Sequence, residues 1–254
     1  MNRLSDTTEA TVKVFIDGVL NAFGDDLESV ILYGAVARGE ESKHTHLSFL
    51  VTVHDNTPSE LARCAHLVKG WNKKHIATPL FLTREYIGRS LDTFPLEFMS
   101  MKAAYHTVYG DDILESLTFE REHIRSQCER ELKGKLIHLR AEYLTLRGNA
   151  KGLRDLVVRS LDTFRLVFTG VLYLKDIEVP LQSASMLDAV TAEYGLDPAV
   201  FAKLSAAAKG SVKLSDTETD VLFDRYIEQL DSLAKAVDDI EDLLSDAQPH
   251  MPDD

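Results

Sequence analysis

The sequence predicts an α+β protein, a mixed sheet with flanking helices followed by an all-α helical bundle. Up to Asp112, short β-branched runs alternate with amphipathic stretches; beyond it, apolar residues recur almost only at steps of three and four. A length of 254 residues is enough for two modest domains, each with its own core. The predicted division is residues 1–112 for the α/β part and 113–247 for the bundle, with 248–254 a polar, disordered tail.

Within the first part, Thr7 to Phe23 sets Val12, Phe15, Ile16, Val19, Leu20 and Phe23 at helical spacing, behind Ser5 or Asp6 as a cap and before Gly24 as a stop. Ser29 to Tyr33 is a short apolar run that ends at Gly34, which predicts a buried strand and a tight turn. From His46 to Val53 the residues alternate. Leu47, Phe49, Val51 and Val53 form the core face, and His46, Ser48, Leu50 and Thr52 the other. A helix is predicted over Thr57 to His75, a strand over Pro79 to Leu82, a short helix over Thr83 to Ser90 and a strand over Pro95 to Met101.

In the second part, Phe119 to Leu146 carries one apolar stripe, and Gly148-Asn149 breaks it. Leu153 to Leu174 is apolar on most sides and reads as a buried helix. Shorter helices follow near Ser183–Tyr194 and Pro198–Lys209. The final one, Thr217 to Ser245, places Leu222, Tyr226, Leu230, Leu233, Val237, Ile240 and Leu244 along a seam suited to an antiparallel bundle. The hexapeptide Arg89-Ser-Leu-Asp-Thr-Phe94 recurs as Arg159–Phe164, in different predicted elements, so it does not mark an internal repeat.

Net charge is −13, which opposes binding to a phosphate backbone, and no basic run offsets it; a nucleic-acid partner is not expected. The most apolar window, Leu166 to Leu174, is too short to span a bilayer, and Met1 to Glu9 lacks a signal-peptide core. A cytoplasmic protein without membrane partners is expected. Cys64 and Cys128 lie far apart and read as reduced core thiols.

One segment carries chemistry. Tyr33-Gly-Ala-Val-Ala-Arg-Gly39, followed after a polar stretch by Thr45-His-Leu-Ser-Phe-Leu-Val51, resembles the polymerase-β-like nucleotidyltransferases of the kanamycin and minimal types. In that family a strand ends in Gly-Ser, an Arg-Gly follows, and the next strand carries Asp-x-Asp. A glycine turn lets backbone amides approach a triphosphate. Carboxylates two apart on a strand share a face and two Mg²⁺ ions.

The resemblance implies a nucleotidyltransferase-like N-terminal domain, with Gly34, Ala35 and Arg38 at the nucleotide. His46 and Ser48 stand at the two aspartate positions, so the Mg²⁺ of the family has lost its ligands and no cofactor is expected. Pro95-Leu96-Glu97 resembles the Pro-Leu-Glu of aminoglycoside adenylyltransferases and implies that Glu97 is the vestigial third acid, while a strand-end glutamate paired with a cation accounts for it equally well. A generic strand–turn–helix accounts for the glycines without any nucleotide. His44 and His46 share a face and match a zinc clasp, but solvated loop histidines explain them more simply.

Three readings follow. The first is a pseudoenzyme that binds a nucleotide, a small molecule or a protein partner, with a nucleotide or small molecule expected in a cleft between the domains. The second is an active transferase that moves NMP with unorthodox ligands; the third is an interaction protein that forms a homo-oligomer through its helices.

Overall fold

The computed structural model describes residues 4–40, 45–208 and 211–245, and the chain divides into two compact units, Met1–Phe119 and Glu120–Asp254. The predicted tail 248–254 lies outside the described residues.

The first unit is built on a four-stranded mixed sheet of order β3-β2-β1-β4. Its strands are β1 (Leu27–Tyr33), β2 (Ser48–Val53), β3 (Leu80–Leu82) and β4 (Tyr105–Gly110). β1 is antiparallel to both β2 and β4, whereas β2 and β3 are parallel. Helix α1 (Asp6–Phe23) starts at Ser5, whose hydroxyl accepts from the Thr8 amide, and stops at Gly24 at φ 56°.

The apolar face of α1, Val12, Phe15, Val19 and Phe23, covers one side of the sheet through Val30, Leu32, Phe49 and Val51. Phe15 stacks on Phe49 with ring centroids 4.0 Å apart and touches Trp71 at 5.0 Å. The opposite side carries Ile31 and Leu50, packed with Ile87, Phe98, Met101, Ile113 and Leu114. Ile113 and Leu114 belong to this core, so residues 113–119 lie with the first unit rather than with the bundle to which the sequence assigned them.

Two local expectations are corrected. The helix predicted over 57–75 is broken into α2 (Pro58–Leu61), a 3₁₀ stretch (Ala62–Leu67) and α3 (Val68–Lys73). Cys64 and Trp71 of this stretch are buried and Leu67 and Val68 pack partly against the same core, so the apolar stripe is kept while the backbone tightens to 3₁₀ over Ala62–Leu67.

The strand predicted over 95–101 is a helix, α5 (Pro95–Ala103), which follows α4 (Arg84–Arg89). Pro95 sits in the first turn of α5, where its missing N–H costs nothing. The fourth strand is instead Tyr105–Gly110, rich in the aromatic and β-branched residues that suit a sheet.

The second unit is helical where it is described: α6 (Arg121–Leu146), α7 (Ala150–Leu174), α8 (Ser183–Glu193), α9 (Pro198–Ala208) and α10 (Asp216–Ser245). Tyr226 of α10 is fully buried. Its hydroxyl meets that of Ser160 at 2.9 Å, and its ring lies edge-on to Phe164 and Phe201. Both cysteines are free and buried, and burial pushes the Cys128 thiol up to about 12. Among the described residues no helix is long and apolar enough to cross a membrane.

Trp71 is the single tryptophan of the chain and lies in the first core, so its fluorescence reports that unit. Phe15→Ala is expected to lower the unit's stability by about 3–5 kcal/mol in urea unfolding followed at Trp71. Val14→Ala, at a position 47% exposed, is expected to stay within about 0.5 kcal/mol of the parent.

Candidate functional site

β1 leaves the sheet at Tyr33 and turns at once through Gly34, whose φ of 85° favours glycine. Among the described residues no atom lies within 4 Å of the place a Cβ would take there, so backbone conformation rather than crowding selects the residue. The chain then coils tightly. Arg38 N–H donates to Gly34 O at 3.1 Å, Gly39 N–H to Val36 O at 3.0 Å and Glu40 N–H to Ala35 O at 2.9 Å. The Arg38 side chain is only 12% exposed, and its Nε donates to Glu40 Oε2 at 2.9 Å. The one cation of the turn therefore already carries a carboxylate.

Strand register brings the remaining residues to the same end of the sheet. Ser48 pairs with Tyr33, and Tyr33 with Tyr105 of β4. Leu50, two residues after Ser48, packs in the cluster that also holds Tyr33 and Tyr105, whereas Phe49 packs beneath α1. Ser48 thus lies on the side opposite Leu47 and Phe49, as the alternation requires. His46 is exposed and Ser48 half-buried.

β3 supplies the neighbouring strand, in register Leu50 with Leu80 and Thr52 with Leu82. Residues paired in this way share a face, so Leu80, 42% exposed, stands beside the Ser48 column where a strand-borne third acid would be needed. Pro79 to Thr83 contains no carboxylate. Glu97 is not on a strand; it is half-buried in the first turn of α5.

Phenolates do not replace the missing acids. Burial raises Tyr33, and burial together with the hydrogen bond to Asp112 at 2.9 Å raises Tyr105 to about 12, so both stay neutral at physiological pH. The donor set at positions 46 and 48 is one imidazole and one hydroxyl, which does not fit the paired Mg²⁺ ions of nucleotidyl transfer. Among the described residues no group of three or more His, Cys, Asp or Glu side chains could hold a metal ion. The predicted partner of His46, His44, lies outside the described residues.

Another imidazole is close, one that sequence spacing could not indicate. His75, just after α3, meets the His46 ring at 5.5 Å between centroids. The two are brought together by a β-bridge between Leu47 and Ile76, across a separation no local motif spans.

No family model matches the sequence, and no curated protein matches it. A solved structure does match: a spectinomycin adenyltransferase from Enterococcus faecialis, crystallised with ATP and spectinomycin. The likeness has a TM-score of 0.56 at 10% identity and covers 88% of this chain and 99% of that one, so it takes in residues of both units. At that identity it shows the fold, which is nucleotidyltransferase-like.

Gly34→Ala is expected to destabilise the first unit by about 1–2 kcal/mol despite the open space, because only the left-handed backbone opposes the methyl group. Urea unfolding followed at Trp71 checks this; an unchanged midpoint would show that the turn relaxes to negative φ at no cost.

Proposed function

We propose that the chain is a divergent member of the polymerase-β-like nucleotidyltransferase superfamily that binds a nucleotide without Mg²⁺-dependent transfer. The observation that carries this reading is the column of His46, Ser48 and, on the adjacent strand, Leu80, none of which is a carboxylate. Transfer needs anionic oxygens to hold two metal ions against a triphosphate, and their loss forfeits stabilisation worth several kcal/mol at both the attacking and the leaving oxygen. Glu97 by itself, in the first turn of a helix, does not restore that charge.

The turn at Gly34 to Gly39 supports retained binding. It presents backbone around a left-handed glycine and holds Arg38 rigidly by its pairing with Glu40. A nucleoside triphosphate would compete with Glu40 for that guanidinium, so binding of modest affinity is expected. Spectinomycin, the small molecule in the similar structure, is a further ligand to be tried for binding.

Isothermal titration with ATP, GTP, CTP and UTP, each with and without Mg²⁺, tests the proposal. Binding of at least one nucleotide with little dependence on Mg²⁺ is expected. Glu40→Gln is expected to tighten it about two- to fivefold by freeing Arg38, and Arg38→Ala to weaken it. The double replacement His46→Asp with Ser48→Asp is expected to make binding depend on Mg²⁺. No binding of any nucleotide by the parent and by Glu40→Gln would overturn the reading in favour of an interaction protein.

A further inference from the structure

His75 has no part in the nucleotide reading, and His46 enters it only as a position without a carboxylate, yet the two are held side by side. Leu47 N–H donates to His75 O at 2.8 Å, and Ala77 N–H donates to Leu47 O at 2.9 Å. These bonds flank the parallel bridge between Leu47 and Ile76 and fix the backbone on which both imidazoles stand. His75 has φ 56°, a left-handed conformation that a non-glycine residue adopts at a cost, although histidine tolerates it better than most. Its amide donates to Asn72 O at 3.2 Å, so the turn is pinned on both sides of the ring.

The ring geometry suits a shared ligand. The centroids are 5.5 Å apart and the planes cross at 62°. Two imidazoles on one tetrahedral ion, with metal–nitrogen bonds of about 2.0–2.1 Å, place their centroids roughly 5 Å apart. The observed spacing is close to that value. Both residues are exposed, so an ion can enter without opening the core and water can fill its remaining positions. Lys73 and Lys74 directly precede His75, and their charge holds the affinity of such a site down.

We infer that His46 and His75 form a two-imidazole clasp for a borderline-soft divalent ion of the Zn²⁺ or Ni²⁺ class. Imidazole nitrogen selects these ions over Mg²⁺ and Ca²⁺, which require hard anionic oxygen. The site lies at the same end of the sheet as Ser48 and the turn at Gly34. It does not rest on nucleotide binding, and its failure leaves that reading untouched.

The test is titration of the full chain with Zn²⁺, Ni²⁺ and Mg²⁺ in a non-coordinating buffer, on the parent and on His46→Ala, His75→Asn and the double variant. Asparagine is chosen at 75 because it accepts the left-handed backbone. One saturable Zn²⁺ or Ni²⁺ site is expected and none for Mg²⁺. Each single variant is expected to lose about tenfold or more in affinity, at least what losing an outer-shell partner costs. Because a clasp fails once either ring is gone, the double variant is expected to lose little more than either single one. His138→Ala, an exposed histidine in the other unit, is expected to change nothing. Parental affinity in either single variant, or losses that simply add in the double variant, would show separate surface histidines and overturn the clasp.

Discussion

The first unit depends on the double burial of β1. Val30, Ile31 and Leu32 have no exposed surface, because α1 closes one side of the sheet and α5 with the 113–114 segment closes the other. Fixing β1 between β2 and β4 fixes the place where it must stop, at Gly34, and hence the turn that carries Arg38. It also fixes Ser48 opposite Tyr33. The candidate site is a consequence of strand register, since a slip of one residue would carry Ser48 into the core beneath α1 and bring Phe49 out.

The same division would let a scaffold persist if its chemistry changed. Burial along β1 and β2 is satisfied by Ile31, Leu32, Phe49, Leu50 and Val51, none of which would touch a nucleotide. Positions 46 and 48 lie where the packing thins out, exposed and half-buried respectively. The core places no demand there for a carboxylate, so replacing one with histidine or serine leaves the apolar packing intact. Leu80, equally outside the core, behaves in the same way.

What was legible in the sequence follows the same division. The strand at 29–33, the alternation of 46–53 and the helix behind Ser5 were readable because periodic burial and capping leave direct marks. Residues 95–101 misled because Leu96 and Phe98 mimic strand alternation, while Pro95, which opens the helix, looks equally at home at a strand edge. β4 was missed although Tyr105–Gly110 has strand composition, since its half-buried positions give no clean alternation. The repeated hexapeptide makes the point within one chain: residues 89–94 run from the end of α4 into a turn before Pro95, whereas 159–164 lie inside α7. Tertiary context decides between them. The meeting of His46 with His75 depends on a long-range bridge and left no local trace.

The fold is nucleotidyltransferase-like, and the function proposed for it leaves out metal-dependent transfer. Transfer of labelled nucleotide by the parent protein is the direct test, with each of the four triphosphates, Mg²⁺ or Mn²⁺, and aminoglycoside, protein and RNA acceptors. No metal-dependent incorporation above background is predicted. Robust transfer by the parent, abolished by Glu97→Gln, would contradict the claim and show that a helix-borne acid serves where the strands carry none.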